Sequence, residues 1–204
     1  MENANNTAES HRSDEVFDTD EFQEPMESLS RSESRRVIYA LLFVSDRPVS
    51  AARLAEAVGD MDTDVMTLLL EELKAELNAR EELPYELQEI AGGYQLSTKA
   101  LFAPYIRKFL QVKKSGRLSK ALLETLAVIA YKQPVTRAEV EAIRGVSVSY
   151  AFDQLQEKRL IKISGIAELP GRPKLYRTTE EFLLTFGLKS VNELPALDEL
   201  RSLD

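Results

Sequence analysis

Residues 118–188 read LSKALLETLAVIAYKQPVTRAEVEAIRGVSVSYAFDQLQEKRLIKISGIAELPGRPKLYRTTEEFLLTFGL, and the punctuation of this stretch decides the fold. Leu122, Leu126 and Ile129 recur at helical spacing, which predicts a helix over 121–131 with one buried face. Pro134 stops it, because the residue before a proline is driven out of the helical region. Thr136, with Glu139 three residues on, has the form of a capping box and opens a short second helix. Gly145 ends that helix, where a left-handed backbone suits glycine. Ser147 or Ser149 is placed to cap a third helix carrying Ala151, Leu155 and Leu160. Residues 160–163 and 174–177 alternate as strands do, with 165–173 as the loop between them, and a last helical pattern follows. Helix, short helix, helix, then a two-strand wing is the order of a winged helix-turn-helix.

The same plan occurs earlier in the chain. Residues 41–50 (LLFVSDRPVS) can be laid over 127–136 so that Pro48 meets Pro134, Leu54 meets Val140 and Gly59 meets Gly145. A longer helix over 64–78 and strands over 85–90 and 94–98 follow, joined by Ala91-Gly92-Gly93 as a tight turn. The predicted fold is therefore α+β, mainly α. It has two tandem winged helix-turn-helix domains, 35–106 and 107–188 (the second including a linker), between an acidic tail, 1–34, and a C-terminal tail, 189–204. Residues 1–34 have few large apolar side chains, a composition expected to remain disordered. Leu194, Leu197 and Leu200 are spaced as one face of a short amphipathic helix.

Four runs of this sequence resemble the segregation and condensation protein B family, ScpB: LETLAVIAYKQPVTRAEVEAIRG, LPGRPKLYRTTEEFL, FGLKSVNELP and ALLFVSDRPVS. They stand in family order between about residues 35 and 200. The resemblance implies two winged-helix domains per chain, a homodimer, and an adaptor role without catalysis. The adaptor would bind the kleisin ScpA and, through it, an SMC ATPase in chromosome condensation and segregation. Residues 146–150 (VSVSY) depart from the polar or acidic helix start more usual in the family.

Composition excludes several classes of activity. The 204 residues contain no cysteine and a single histidine, His11, in the acidic tail. Disulfide, thiolate and histidine-based acid–base chemistry have no residues to build on. Phosphate-binding and nucleophile-elbow motifs are missing from the sequence. The acidic pairs Glu71-Glu72, Glu81-Glu82 and Glu180-Glu181 are neighbours in sequence, which on a helix do not face each other. Catalytic, cofactor and metal sites are therefore expected to be none. No apolar run approaches the length of a membrane span and no secretory pattern opens the chain, which predicts a cytoplasmic protein, nucleoid-associated through its complex, with no membrane contact.

The net charge of −8 is unevenly spread: residues 1–34 carry −8, 35–106 carry −5, 107–189 carry +8 and 190–204 carry −3. The basic surface of 107–189 suits either a DNA backbone or an acidic protein segment, and the resemblance to ScpB favours the latter. Tyr131, Arg137, Arg144, Arg172 and Lys174 are the candidate partner-binding residues. Arg172 stands in Pro170-Gly171-Arg172-Pro173, a stiff turn that would hold it at low entropic cost. Ile38, Leu42 and Phe43 are the candidate dimerisation residues, within an apolar run (residues 37–44) wider than one helical face requires. The competing function is a tandem winged-helix transcription regulator. Against it, the third helices carry Asp64, Glu71, Glu72 and Glu76, and Asp153 and Glu157, which phosphate would repel. DNA contact is accordingly expected to be indirect or weak.

Overall fold

The computed structural model describes residues 29–111 and 118–196. The expected disorder of the acidic tail falls mostly on residues 1–28, outside this range, as do Leu197 and Leu200. The N-terminal lobe contains α1 (Arg31–Val44), α2 (Ala51–Gly59), α3 (Thr63–Asn78), β1 (Tyr85–Ile90) and β2 (Gly93–Thr98). A 3-10 turn (Ala100–Phe102) and α4 (Ala103–Phe109) follow. The C-terminal lobe contains α5 (Lys120–Lys132), β3 (Val135–Thr136), α6 (Arg137–Arg144), α7 (Ser149–Glu157), β4 (Ile161–Ile166), β5 (Lys174–Thr178), α8 (Glu180–Phe186) and a 3-10 turn (Val191–Glu193). Each lobe has its own core. Ile38, Leu42, Leu54, Met66, Leu70, Leu73 and Leu87 fill the first; Leu126, Ile129, Val140, Phe152, Leu155 and Tyr176 fill the second.

The internal repeat holds at the level of hydrogen bonds. Ser50 caps α2 and Thr136 caps α6, the latter with the full reciprocal box to Glu139. After each proline a valine bridges the second strand of its hairpin: Val49 to Tyr94, and Val135 to Tyr176. Val49 and Tyr94 exchange both backbone bonds at 2.9 Å. That approach requires Gly93, since a Cβ there would lie 2.9 Å from the Val49 backbone. At the tip between β1 and β2, Ala91 and Gly92 both have positive φ, as a two-residue type I′ turn demands. Gly145 closes α6 in the left-handed conformation.

Three local expectations are corrected. Neither Ser147 nor Ser149 caps α7: its N-cap is Val148, whose N–H donates to the Glu141 carboxylate at 3.0 Å. β4 runs on to Ile166, so the connecting loop begins at residue 167, and Ala167 N–H donates to the Pro173 carbonyl. The stretch expected as the start of a linker holds α4, with Pro104 in its first turn, where a missing N–H costs nothing. After α8, Val191–Glu193 form a 3-10 turn and Leu194 packs against the second core, while the helical face expected at Leu197 and Leu200 lies outside the described residues.

The two lobes touch where the tip of the β1–β2 hairpin meets the chain after α8. Ala91 N–H donates to the Leu188 carbonyl at 2.9 Å, and Lys189 Nζ lies 2.7 Å from the Glu89 carboxylate. Glu89 also faces Lys74 at 3.4 Å.

Candidate functional site

The hairpin β4–β5 projects the densest set of uncommitted cations. Lys162, Arg172, Lys174 and Arg177 are exposed. None of the four forms an ion pair among the described residues, although five arginines and three lysines elsewhere do. Arg172 sits at the tip in a left-handed backbone (φ 44°), a conformation costing about 1–2 kcal/mol for a residue with a Cβ. Its N–H donates to the Leu169 carbonyl at 2.8 Å, closing the turn and aiming the guanidinium outward. The neighbouring Lys174 opens β5.

The other three candidate partner residues are committed within the lobe. Arg144 is only 15% exposed: it meets Glu124 at 2.7 Å and donates to the Ala121 carbonyl and Thr125 Oγ1 at 3.0 and 2.9 Å. It fastens α6 to α5 through three guanidinium contacts inside the lobe. Tyr131 is half-buried and donates its hydroxyl to the Pro195 carbonyl at 2.8 Å, pinning the chain end to α5. Arg137 stacks over the Phe152 ring at 5.3 Å and lies 3.8 Å from Asp153, though 37% of its side chain is still exposed. The structure thus brings Arg172 and Lys174 together at the hairpin, and spends Arg144 and Tyr131 on internal packing.

The N-terminal lobe offers an apolar face instead. Of the dimerisation candidates, Ile38 and Leu42 are 0% and 1% exposed and belong to the lobe's own core. They line α1 with Ser34 at four-residue spacing, so the surface role expected of them is corrected. Phe43, one residue on, is rotated off that face and is 85% exposed beside Val44. Phe43 rims a groove of about 820 Å³ whose lining includes Tyr39, Leu83, Tyr85 and Leu96. Leu101, Tyr105 and Phe109, four residues apart along the following 3-10 turn and α4, extend the exposed apolar surface.

The acids of α3 are largely neutralised from within. Glu72 and Glu76 pair with Arg31 and Arg35 of α1, and Glu71 accepts from the Tyr94 hydroxyl at 2.8 Å. The hydrogen bond from Arg35 holds the Glu76 carboxyl below the usual carboxylate range. Burial, then the bond to Glu71, pushes the Tyr94 phenol well above its ordinary value. Burial raises Glu89, but Lys189 and Lys74 outweigh it and leave its pKa lowered. No group of three or more His, Cys, Asp or Glu side chains among the described residues is placed to hold a metal ion. No helix among them is long and apolar enough to cross a membrane.

The model of the segregation and condensation complex subunit ScpB family matches residues 36–197. The chain belongs to the ScpB family. It is 44% identical over 167 residues to the segregation and condensation protein B of Symbiobacterium thermophilum, covering 80% of this chain and 74% of that one. It is 46% identical over 166 residues to that of Moorella thermoacetica, covering 81% and 84%. Among solved structures, it is similar to ScpB from Mycobacterium tuberculosis, 38% identical over 79% of this chain and 99% of that one, with a TM-score of 0.39. It is also similar to a dimer of an ScpB N-terminal domain complexed with an ScpA peptide, 29% identical over 38% of this chain and 95% of that one, with a TM-score of 0.35. Lys162 and Arg177 stand outside the candidate residues read from the sequence. Their strand register makes them a facing pair.

Proposed function

We propose that the chain is a non-enzymatic adaptor of a bacterial SMC condensin. In this reading residues 35–106 and 107–188 are two winged-helix domains. The first joins a second copy through the apolar face around Phe43. The second engages the kleisin ScpA through the hairpin cations, and the kleisin carries the adaptor to the SMC ATPase. Family membership supports the setting. The observation that carries the partner surface is the contrast between the two kinds of element. Glu71, Glu72 and Glu76 of α3 have cationic partners within their lobe, whereas Arg172 and Lys174 stand exposed and without an ion pair among the described residues. Charged rims steer and select acidic partners, and a DNA reader would need the reverse arrangement, with its cations on the third helix.

The test is titration calorimetry of the full chain with ScpA of the same organism, comparing the parent with Arg172→Glu/Lys174→Glu. Reversing two rim charges is expected to weaken binding by about tenfold or more, roughly 1.4 kcal/mol, with dimer mass and circular dichroism unchanged. Equal affinity of parent and variant rejects the surface. Micromolar binding of duplex DNA by the parent at physiological salt, lost in the variant while ScpA binding persists, rejects the adaptor reading in favour of a DNA track.

A further inference from the structure

The outer face of the second hairpin carries a pairing that the fold itself does not satisfy. Lys162 on β4 and Arg177 on β5 are direct register partners. Of the residues flanking them, Ile161, Tyr176 and Thr178 are buried and Ile163 is 46% exposed; direct pairing puts both cations on the same face, and both are exposed. Like charges directly opposite each other destabilise a strand pair. Neither residue forms an ion pair among the described residues. Both line a groove of about 720 Å³ whose lining also includes Leu175, Leu183 and Val191. Glu180 lines the same groove without an ion-pair contact to either cation, so two positive charges meet one negative charge there. Such a site fits a segment that alternates carboxylates with large apolar side chains.

This chain contains one. Residues 14–22 read DEVFDTDEF: Asp14, Glu15, Asp18, Asp20 and Glu21 interleaved with Val16, Phe17 and Phe22. They belong to residues 1–28, which hold nine acids against Arg12 alone. From Leu29, Phe22 is seven residues away and Asp14 fifteen, an extended reach of about 23–50 Å, against a radius of gyration of about 17 Å expected for a compact chain of this length. We propose that residues 14–22 of the same chain dock in this groove, their carboxylates on Lys162 and Arg177 and Phe17 or Phe22 against Leu175 and Leu183. The chain then carries its own acidic occupant for a basic face. This inference stands apart from the ScpA reading, which concerns Arg172 and Lys174 at the hairpin tip.

The test is zero-length carbodiimide cross-linking of the full chain, with linked peptides identified by mass spectrometry. An equal mixture of isotope-labelled and unlabelled chains separates links within a chain from links between chains. Lys162 is expected to link to acids of residues 14–22 at several times the yield of the exposed Lys158 or Lys120, within one chain, and 0.5 M salt should suppress the link. Arg177→Glu keeps the Lys162 amine but reverses its neighbour, and is expected to reduce the Lys162 link at least fivefold. Phe17→Ala/Phe22→Ala leaves both lobes untouched and should lower it as well. Yields at Lys162 no higher than at Lys158, an unchanged link in Arg177→Glu, or links found only between labelled and unlabelled chains would each overturn the proposal. None of these outcomes depends on whether ScpA binds.

Discussion

Replacing Arg144 by alanine separates a structural arginine from a docking one. Its guanidinium donates to the Ala121 carbonyl and to Thr125 Oγ1, and meets Glu124 at 2.7 Å. Hydrogen bonds from a charged donor contribute about 1.5–3 kcal/mol. The Glu124 carboxylate is 45% exposed, so water takes over much of its solvation when the partner is lost, and that pair adds less than about 1 kcal/mol. The expected loss is therefore about 2–3 kcal/mol. For a lobe of this size each kcal/mol moves the melting midpoint by about 4–8 °C, so the C-terminal lobe should melt about 8–24 °C earlier. Differential scanning calorimetry of the full chain reads this directly, provided the two lobes melt as separate transitions. Arg144→Lys should recover only part of the loss, because an ammonium cannot form the fork. Arg172→Ala, which removes no contact within the lobe, should shift the midpoint by less than about 0.5 kcal/mol equivalent. If Arg144→Ala melts like the parent yet loses affinity for an acidic partner below the transition, then Arg144 is a contact residue and its burial has been misread.

Two further outcomes follow from the surfaces and the titrating groups. Phe43→Asp/Val44→Asp is expected to convert a dimer to a monomer by light scattering, with the helical circular dichroism signal unchanged. Leu42→Asp, one residue away, should unfold the N-terminal lobe, since its carboxylate would be buried without a partner. For pH, the Glu33, Glu76, Glu89 and Glu139 carboxyls all lie below their ordinary values in the folded chain. Their contribution is present above the unfolded carboxylate pKa of about 4.3 and is lost as pH falls through the lower folded values. With no histidine among the described residues, the urea midpoint should be flat between about pH 6 and 9 and fall below about pH 4. A midpoint that changes between pH 6 and 8 would contradict this.

Much of the fold was legible because its signals are local. Pro48 and Pro134, the Thr136–Glu139 box and the turn at Ala91-Gly92 each act within a few residues, and each appears where the sequence put it. The reading failed where the deciding partner lies farther off. The α7 start is held by Glu141, seven residues upstream. β3 is two residues long and exists only because β5 lies beside it. α4 was hidden by Pro104 and the basic residues after it, which look like a linker unless proline is allowed at a first turn. In the candidate site, composition could point to the basic lobe but could not tell Arg144 from Arg172, because that difference is made by which arginine faces another helix. In α1 the signal was available: Ser34, Ile38 and Leu42 share one face at four-residue spacing, which puts Phe43 about 100° away.

Among the described residues, the polar contacts that join the lobes are one backbone hydrogen bond at Ala91 and one partly exposed ion pair at Glu89. Contacts of these kinds contribute about 2 kcal/mol together, too little to hold two separate molecules at micromolar concentrations. The lobes meet because a covalent tether keeps them at a local concentration in the millimolar range. Closed and parted arrangements are then near equipoise, and a ligand that prefers one by only 1–2 kcal/mol sets which of them dominates. The geometry that such a chain imposes on its neighbours is decided less by its own rigidity than by whatever it is holding.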